Sequence, residues 1–539
     1  MAKLGFMQRL FGGAETVNRP APSASYMRDT RSGVIRARQP LTLRDSRDEI
    51  RAAWRRSAAL ALDIMHNSGR LKGAADQVLA DTVGSELALN PQPDLAKLGY
   101  DETETAEFVR IVKKAWKKWA WNPAECDLRG KFTVPQMVDI GLRWDMAYGE
   151  ITGVMSYMPM SVRRRYGITT GTKVCMVPPT KLAQDTEEFS GLYQGVWHDE
   201  NGRPSHYRFL ERVNGFDVRR DYAARDRSGR QVVLHFFDPV DATDVRGISK
   251  LAPAFRKHIQ HEMLEDATLQ QAILQTVFAI VLTSAAPSAE AFEGLEAMKE
   301  AGSAKDAASV ASDFMAYFSS ALDRAKEGKI HVSGEPQVSH LAPGEDLDLK
   351  HIGAPGNTYL PFSASLSRDM ARAIGITYGG LTMDHTNATY SSVRMETSSI
   401  WPVVMRRRDR LAAPHNQAIY ECWLDEEIGE GRIPLKGGYE AFLANRDAVC
   451  WALWQGPAKP SADDLKSAKA SSERLENGTS SIEVESGEMG VDPDEIFEQR
   501  LRRHRQYQES GMRSPYDPRP GRDRTDEPDE KAKPAQEPA

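Results

Sequence analysis

The sequence predicts an α+β chain that is mainly helical. Two observations carry this reading. Apolar residues recur at helical spacing through several long stretches. One stretch, from about 172 to 238, changes to short β-rich runs broken by turn signals. The 539 residues are 40% hydrophobic and 27% charged, so the chain can bury a large core and is globular rather than wholly disordered. At roughly 150 residues per domain, this length allows about three or four domains or one elaborate subunit.

Residues 1–45 are rich in Arg, Ser and Pro. The first 40 hold seven basic and two acidic residues, which reads as a flexible basic arm, either solvated or holding a neighbouring protein. Ser46-Arg47-Asp48-Glu49 has capping-box spacing with Ser46 at the N-cap. Ile50, Trp54, Ala58, Ala61, Leu62 and Met65 continue it as a helix. A second helix covers about 102–121, with Trp116 and Trp119 in its apolar stripe, four lysines on its wet face and Pro123 at its end. A third, at about 134–147, passes through Gly149-Glu150 into a strand at 151–158.

In the β-rich stretch, residues 174–177 form a short run stopped by Pro178-Pro179. Residues 195–197 and 206–209 flank Asn201-Gly202, a strong hairpin signal. Residues 232–236 are a further strand. After Gly247, Leu251, Phe255, Ile259, Met263 and Ala267 recur every fourth residue, predicting a long amphipathic helix that runs into an extended segment at 278–283. An Ala-rich helical region follows at 288–327, then a short strand at 330–332. Residues 342–358, with three glycines and two prolines, read as a long loop. Helices resume from about 361 to 425, with Pro402 and Pro414 as expected kinks. Charged helices continue to Tyr507, and a proline-rich tail that reads as disordered ends the chain.

Composition excludes several function classes. Lys+Arg total 70 against Asp+Glu 76, a net charge of −6, which disfavours phosphate gripping by the whole surface. Four scattered cysteines without a CxxC argue against a disulfide framework or zinc ribbon and fit a reducing compartment. The most apolar stretch, Ala272 to Ala286, falls short of the roughly 20 residues a membrane helix needs. The N-terminus lacks the apolar run of a secretory signal.

Catalytic motifs are missing too. The chain contains no GxxxxGK[ST], GxSxG, HExxH or GxGxxG. His258 and His261, beside Glu262 and Glu265, have the spacing to hold a metal, but a soluble helix surface explains them better. Asp384-His385 with Ser391 or Ser392 has nothing to order it into a triad. The residues alone describe an interaction or structural protein with no catalytic residue, metal or cofactor.

Several segments then line up in one order. Asp81-Thr82-Val83-Gly84-Ser85-Glu86 follows an N-terminal helix. Trp116, Trp119, Phe132 and Gly149-Glu150 come next. Gly195-Val196 and Gly202-Arg203-Pro204-Ser205-His206-Tyr207 precede Leu234-His235-Phe236-Phe237 and Arg246-Gly247-Ile248-Ser249. Leu341-Ala342-Pro343-Gly344-Glu345, Tyr390-Ser391-Ser392-Val393-Arg394, Tyr420-Glu421-Cys422-Trp423-Leu424, Trp451, Gly487-Glu488 and Asp492, Asp494 and Glu495 complete the series. In this order, across about residues 50–507, they resemble the portal proteins of tailed bacteriophages, in their lambda-like family. The chain departs from that pattern at 81–86, where an Asn and a Gly are replaced, and at Pro457-Ala458-Lys459-Pro460-Ser461.

The resemblance implies a portal fold with wing, stem, clip and crown regions, assembling as a ring of twelve copies. It implies a basic arm at 1–45, a wing at 46–246, a stem helix and clip region at 247–340 and a tunnel loop at 341–360. Long kinked helices at 361–455, on the wing and crown side, a C-terminal helical region at 456–510 and a tail at 511–539 complete it. The implied function is a non-enzymatic channel at one capsid vertex of the virion, assembled in the bacterial cytoplasm, for packaging and ejecting DNA. Implied partners are other copies of the chain, the terminase large subunit, major capsid and scaffold proteins, head-completion and tail-connector proteins, and double-stranded DNA read without sequence specificity; no membrane is implied.

A channel that passes DNA should make few lasting phosphate contacts, because each adds affinity through counterion release. In the tunnel loop, Glu345, Asp346 and Asp348 would repel DNA and Lys350 and His351 would touch phosphate, unless all five are solvated loop charges. Trp116, Trp119, Trp401 and Trp423 are expected in the core or at ring interfaces. Two competing readings are a particle-associated DNA-processing enzyme, disfavoured by the absent P-loop and acidic metal cluster, and a generic scaffold oligomer.

Overall fold

A computed structural model of the chain describes residues 45–281, 356–386, 388–460, 464–491 and 493–517. They form two units, one of residues 45–250 with 385–517 and one of residues 251–281 with 356–384.

The first unit opens with α1 (Ser46–Asn67) and α2 (Gly69–Thr82). The expected capping box at Ser46 is not formed. The helix starts one residue earlier, so Ser46 is already helical, and Asp45 takes the N-cap position without a side-chain cap bond. After β1 (Ala88–Pro91), α3 (Glu102–Ala120) starts at a true capping box between Asp101 and Glu104. The short α4 (Pro123–Cys126) leads to α5 (Val134–Tyr148), where Thr133 and Gln136 form a second box. Each box satisfies amides that a helix start otherwise leaves without partners.

The sheets follow. β2 (Glu150–Tyr157), α6 (Met160–Tyr166), β3 (Thr172–Met176), β4 (Leu192–Tyr193), β5 (Val196–His198), β6 (Pro204–Val213), β7 (Phe216–Ala223) and β8 (Val233–Phe237) run in chain order. A three-stranded sheet has the order β3-β2-β8 and a four-stranded sheet the order β4-β5-β6-β7, all antiparallel. The turn at Asn201-Gly202 joins β5 to β6, as the sequence predicts. The sequence reading passed over a second hairpin, between β6 and β7. Its two turn residues, Asn214 and Gly215, have φ of 51° and 88°, and a type I′ turn needs both positive.

The second unit holds α7 (Phe255–Val281), α8 (Gly356–Ile374) and α9 (Tyr378–Thr382). α7 and α8 are antiparallel, since Lys257 pairs with Asp369 at 2.9 Å and His261 with Ser363 at 2.7 Å. Two expectations are corrected here. The segment expected to be extended from 278 is helical to Val281, because adding a residue to a formed helix outweighs the weak β preference of Ile280 and Val281. The loop expected to reach 358, or 360 as a tunnel loop, gives way to α8 at Gly356, and Pro361 sits inside that helix. The remainder of that loop, the arm to residue 44, the Ala-rich helices at 288–327, the strand at 330–332 and the tail from 518 lie outside the described residues.

Back in the first unit, α10 (Tyr390–Arg407) passes through a π-helical turn at Arg408–Ala412 into α11 (Ala413–Gly429). Pro402 lies inside α10, and Pro414 lies in α11 just after the π-helical turn. α12 (Gly438–Ala444), α13 (Arg446–Cys450) and β9 (Ala452–Gln455) follow, and β9 pairs with β1. The charged C-terminal part folds as α14 (Asp464–Glu476), α15 (Ile482–Glu488) and α16 (Pro493–Glu509).

The core of this unit centres on aromatic rings. Trp116 lies 5.3 Å from both Trp119 and Trp423, 5.6 Å from Tyr420 and 5.7 Å from Trp454, mostly edge to face. Trp116, Trp119 and Trp423 are thus core residues, whereas Trp401 is half-buried.

Candidate functional site

The segments Gly149-Glu150, His235 and Arg246-Gly247-Ile248-Ser249 are far apart in sequence and meet in one buried joint. Gly149 ends α5 with φ of 86°. A Cβ on Gly149 would stand 2.2 Å from the Ile248 backbone, and one on Gly247 would stand 1.8 Å from the Gly149 carbonyl oxygen. Two backbones therefore touch where only glycine fits. Ser249 Oγ donates to the Met146 carbonyl at 2.7 Å and ties the same segment to α5.

Beneath this contact lies an ion cluster. Arg246 and Glu150 are both 0% exposed, and the guanidinium donates to both carboxylate oxygens, with Nε at 3.0 and 3.1 Å. It also donates to the carbonyls of Pro179 at 3.1 Å and of Leu182 and Ala183 at 3.4 Å. Its other face covers Trp54 at 4.5 Å, and Trp54 stacks on Tyr148. His235 Nε2 lies 3.1 Å from Glu150 Oε2. Burial alone raises the Glu150 carboxyl, but the Arg246 charge and the hydrogen bonds from His235 and Arg246 outweigh it and hold the carboxyl below its usual range.

Two further buried cations tie distant segments together. Arg408, on the π-turn, donates to the carbonyls of Thr82 at 2.9 Å, Asp81 at 3.3 Å and Pro457 at 3.0 Å. The first two are carbonyls that the end of α2 leaves without partners. Gly456 makes room for the guanidinium, since a Cβ there would stand 2.5 Å from it. The segment at 457–460, where the sequence departs from the family pattern, is thereby anchored at Pro457. Arg163 lies 3.3 Å from Glu426, and Glu426 accepts from the amides of Gly171 at 2.5 Å and Thr172 at 2.6 Å. That pairing fastens α11 to α6 and β3.

Arg246 pairs with Glu150 and Arg163 with Glu426, whereas Arg408 is held by backbone carbonyls. The arrangement resists displacement of its strands and helices and presents no nucleophile beside a base. Among the described residues, no group of three His, Cys, Asp or Glu is placed to hold a metal. His258 and His261 are not on a wet surface as expected; both are buried, and they lie 3.1 Å from Glu262 and 3.3 Å from Glu265 on their own helix. Ser392 Oγ serves the N-cap of α10 with Thr389 and takes part in no triad. No helix of the described residues is long and apolar enough to cross a membrane.

Glu345, Asp346, Asp348, Lys350 and His351 lie outside the described residues. The sequence reading missed Arg163, Arg408 and the pairing of Glu150 with Arg246. The last two residues sit in recognisable segments, yet 96 positions separate them. Arg408 stands in the run Arg406-Arg407-Arg408, which reads as surface charge.

His415 on α11 is fully buried, with its ring 6.0 Å from Phe236. Burial pushes it down to about 4, against a smaller upward pull from Asn416. The folded chain therefore keeps this ring neutral while the unfolded chain protonates it below its ordinary value near 6.5. Stability is full above that value and is lost as pH falls toward 4, by about 2 kcal/mol at pH 5. Urea midpoints at pH 7 and pH 5 should show this loss, and His415→Phe should remove it. An equal slope in both proteins would reject the assignment.

The family profile described as "Phage portal protein, lambda family" matches residues 36–408. Portal protein B of Escherichia phage lambda is 26% identical over 470 residues, covering 85% of each chain. The portal protein of Escherichia phage N15 is 25% identical over 470 residues, covering 86% of each. A solved structure, the neck of an empty GTA particle computed with C6 symmetry, contains a chain 12% identical to this one. The match covers 80% of this chain and 94% of that one, with a TM-score of 0.38. A chain from the neck of a native GTA particle computed with C12 symmetry is 13% identical, with 75% and 96% covered and a TM-score of 0.27. The profile spans the buried joint at Gly149-Glu150 and Arg246–Ser249 and ends on Arg408, and by that match the chain belongs to the lambda family of phage portal proteins.

Proposed function

We propose that this phage portal protein works as one subunit of a closed ring of twelve copies at a single capsid vertex of the virion, assembled in the bacterial cytoplasm. Double-stranded DNA passes through the channel of that ring during packaging and ejection. The terminase large subunit docks on it first, and head-completion and tail-connector proteins follow; major capsid and scaffold proteins surround it. The role is structural and not enzymatic. The observation that carries this reading is the family match across residues 36–408. The buried ion pairs support a mechanical role, since they tie distant segments of the first unit together.

In this reading the stem and clip comprise 247–340, with α7 as the stem helix, and the tunnel loop lies between α7 and α8. Glu345, Asp346 and Asp348 keep DNA moving, while Lys350 and His351 touch phosphate. Lys350→Glu is expected to shorten the packaged DNA; unchanged packaging and retention would remove Lys350 from the mechanism.

The deciding experiment is native mass spectrometry of the 60.0 kDa chain with negative-stain imaging of the same sample. The expected result is a closed ring of about twelve copies with a central hole. A chain that stays monomeric or dimeric even when co-expressed with its capsid proteins would overturn the ring.

A further inference from the structure

Strand β2 has a different exposed surface near each of its ends. Beyond its last residue, Tyr157, the chain turns through Met158-Pro159 into the short α6. Tyr157, Met160 and Tyr166 are 54%, 48% and 64% exposed. Arg164 and Arg165, also exposed, have no ion pair among the described residues. Aromatic rings, methionine and arginine are the side chains that protein interfaces concentrate. The surface is also preformed. Buried Arg163 donates to the Tyr157 hydroxyl at 2.8 Å and to the Thr169 carbonyl at 2.9 Å. The carboxylates of Glu426 and Glu430 are shared by Arg163 and Arg432, not by Arg164 or Arg165.

The other surface belongs to the Glu150 end. Past Pro178-Pro179, the carbonyls of Leu182 and Ala183 accept from Arg246, which pairs with Glu150, the first residue of β2. The chain then runs along the start of α1. Gln184 accepts from Arg55, Glu188 lies 3.9 Å from Arg51, and Tyr193 donates to Asp48 at 2.8 Å. On this stretch Phe189 is 105% exposed, so its ring is left in solvent. Glu187 and Glu188 precede it, both exposed, and Glu187 has no ion pair among the described residues. β2 has 8 residues, so its two ends lie about 23 Å apart. One surface offers unpaired arginines among apolar side chains, and the other offers carboxylates beside an unpacked ring. A closed ring repeats one contact in which two different patches on separate sides of the chain meet.

We propose that Glu187-Glu188-Phe189 of one copy docks on the Tyr157–Tyr166 surface of the next copy. Glu187 and Glu188 pair with Arg164 and Arg165, and Phe189 packs on Met160 and Tyr166 as the apolar anchor. The contact rests on the reading of the chain as a ring subunit, and it deepens that reading by naming the surfaces that join neighbours.

Native mass spectrometry of the full chain, co-expressed with its capsid proteins, reads the fraction in rings. Phe189→Ala should lower that fraction at least three-fold. Its urea midpoint should stay at the wild-type value, because a side chain left in solvent adds little to the fold of one chain. Arg164→Glu with Arg165→Glu should lower the fraction at least ten-fold, and so should Glu187→Arg with Glu188→Arg. The two double variants expressed together should recover rings of alternating chains, since each altered surface then meets its altered counterpart. Rings at wild-type yield in Phe189→Ala or in either double variant would overturn the contact. So would double variants that give no rings together. A wild-type chain that forms no ring would overturn the ring reading itself, and this contact with it.

Discussion

Arg246→Ala is expected to cost about 3–5 kcal/mol of stability, the range for stripping one partner from a buried ion pair. The reason is less the lost attraction than what remains. Glu150 would stay fully buried with only His235 beside it, and the carbonyls of Pro179, Leu182 and Ala183 would lose the guanidinium. Arg246→Lys should recover only part of the loss, because an ammonium cannot reach both carboxylate oxygens and three carbonyls at once. The double variant Glu150→Met, Arg246→Met should be more stable than Arg246→Ala, since it leaves no orphaned charge. Urea denaturation followed by tryptophan fluorescence gives the comparison. If Arg246→Ala unfolded at the wild-type urea concentration, the cluster would not be holding the joint.

Gly247→Ala should destabilise by about 4 kcal/mol or more, the upper end of single-substitution effects. The added methyl would stand 1.8 Å from the Gly149 carbonyl oxygen and 2.6 Å from its carbon. Both are backbone atoms, and no side-chain rotation relieves the overlap. The end of α5 and the segment before residue 251 would have to separate, breaking the Ser249–Met146 bond and disturbing Arg246 next door. Gly73→Ala is the control. Gly73 lies in the middle of α2, exposed, with no atom within 4 Å of an added Cβ, so alanine there should stabilise by about 0.5–1 kcal/mol. Soluble yield and urea midpoints of the two variants should move in opposite directions. A Gly247→Ala chain as stable as wild type would mean the two backbones are not in contact in solution.

These two variants bear on function through chain connectivity. Arg246–Ser249 is the stretch that leads out of the first unit toward α7. A loosened joint should therefore lower particle yield more than its effect on solubility alone would.

By itself the sequence determined what is local. The apolar stripe and Pro123 bounded α3, Asn201-Gly202 placed a hairpin, and four-residue spacing announced α7. These features depend on residues within a turn or two of one another, and a linear pattern preserves them. The ordered segments, from Gly149-Glu150 to Arg246–Ser249, also announced the family. What they are for was decided only by the tertiary structure. Glu150 finds Arg246 across 96 residues, and Arg408 finds the end of α2 across 326. A charged residue looks alike in sequence whether it is solvated or buried against its partner. Desolvation and pairing arise only when the chain folds back on itself, and they turn Arg408, one of a run of surface-like arginines, into the cap of a distant helix.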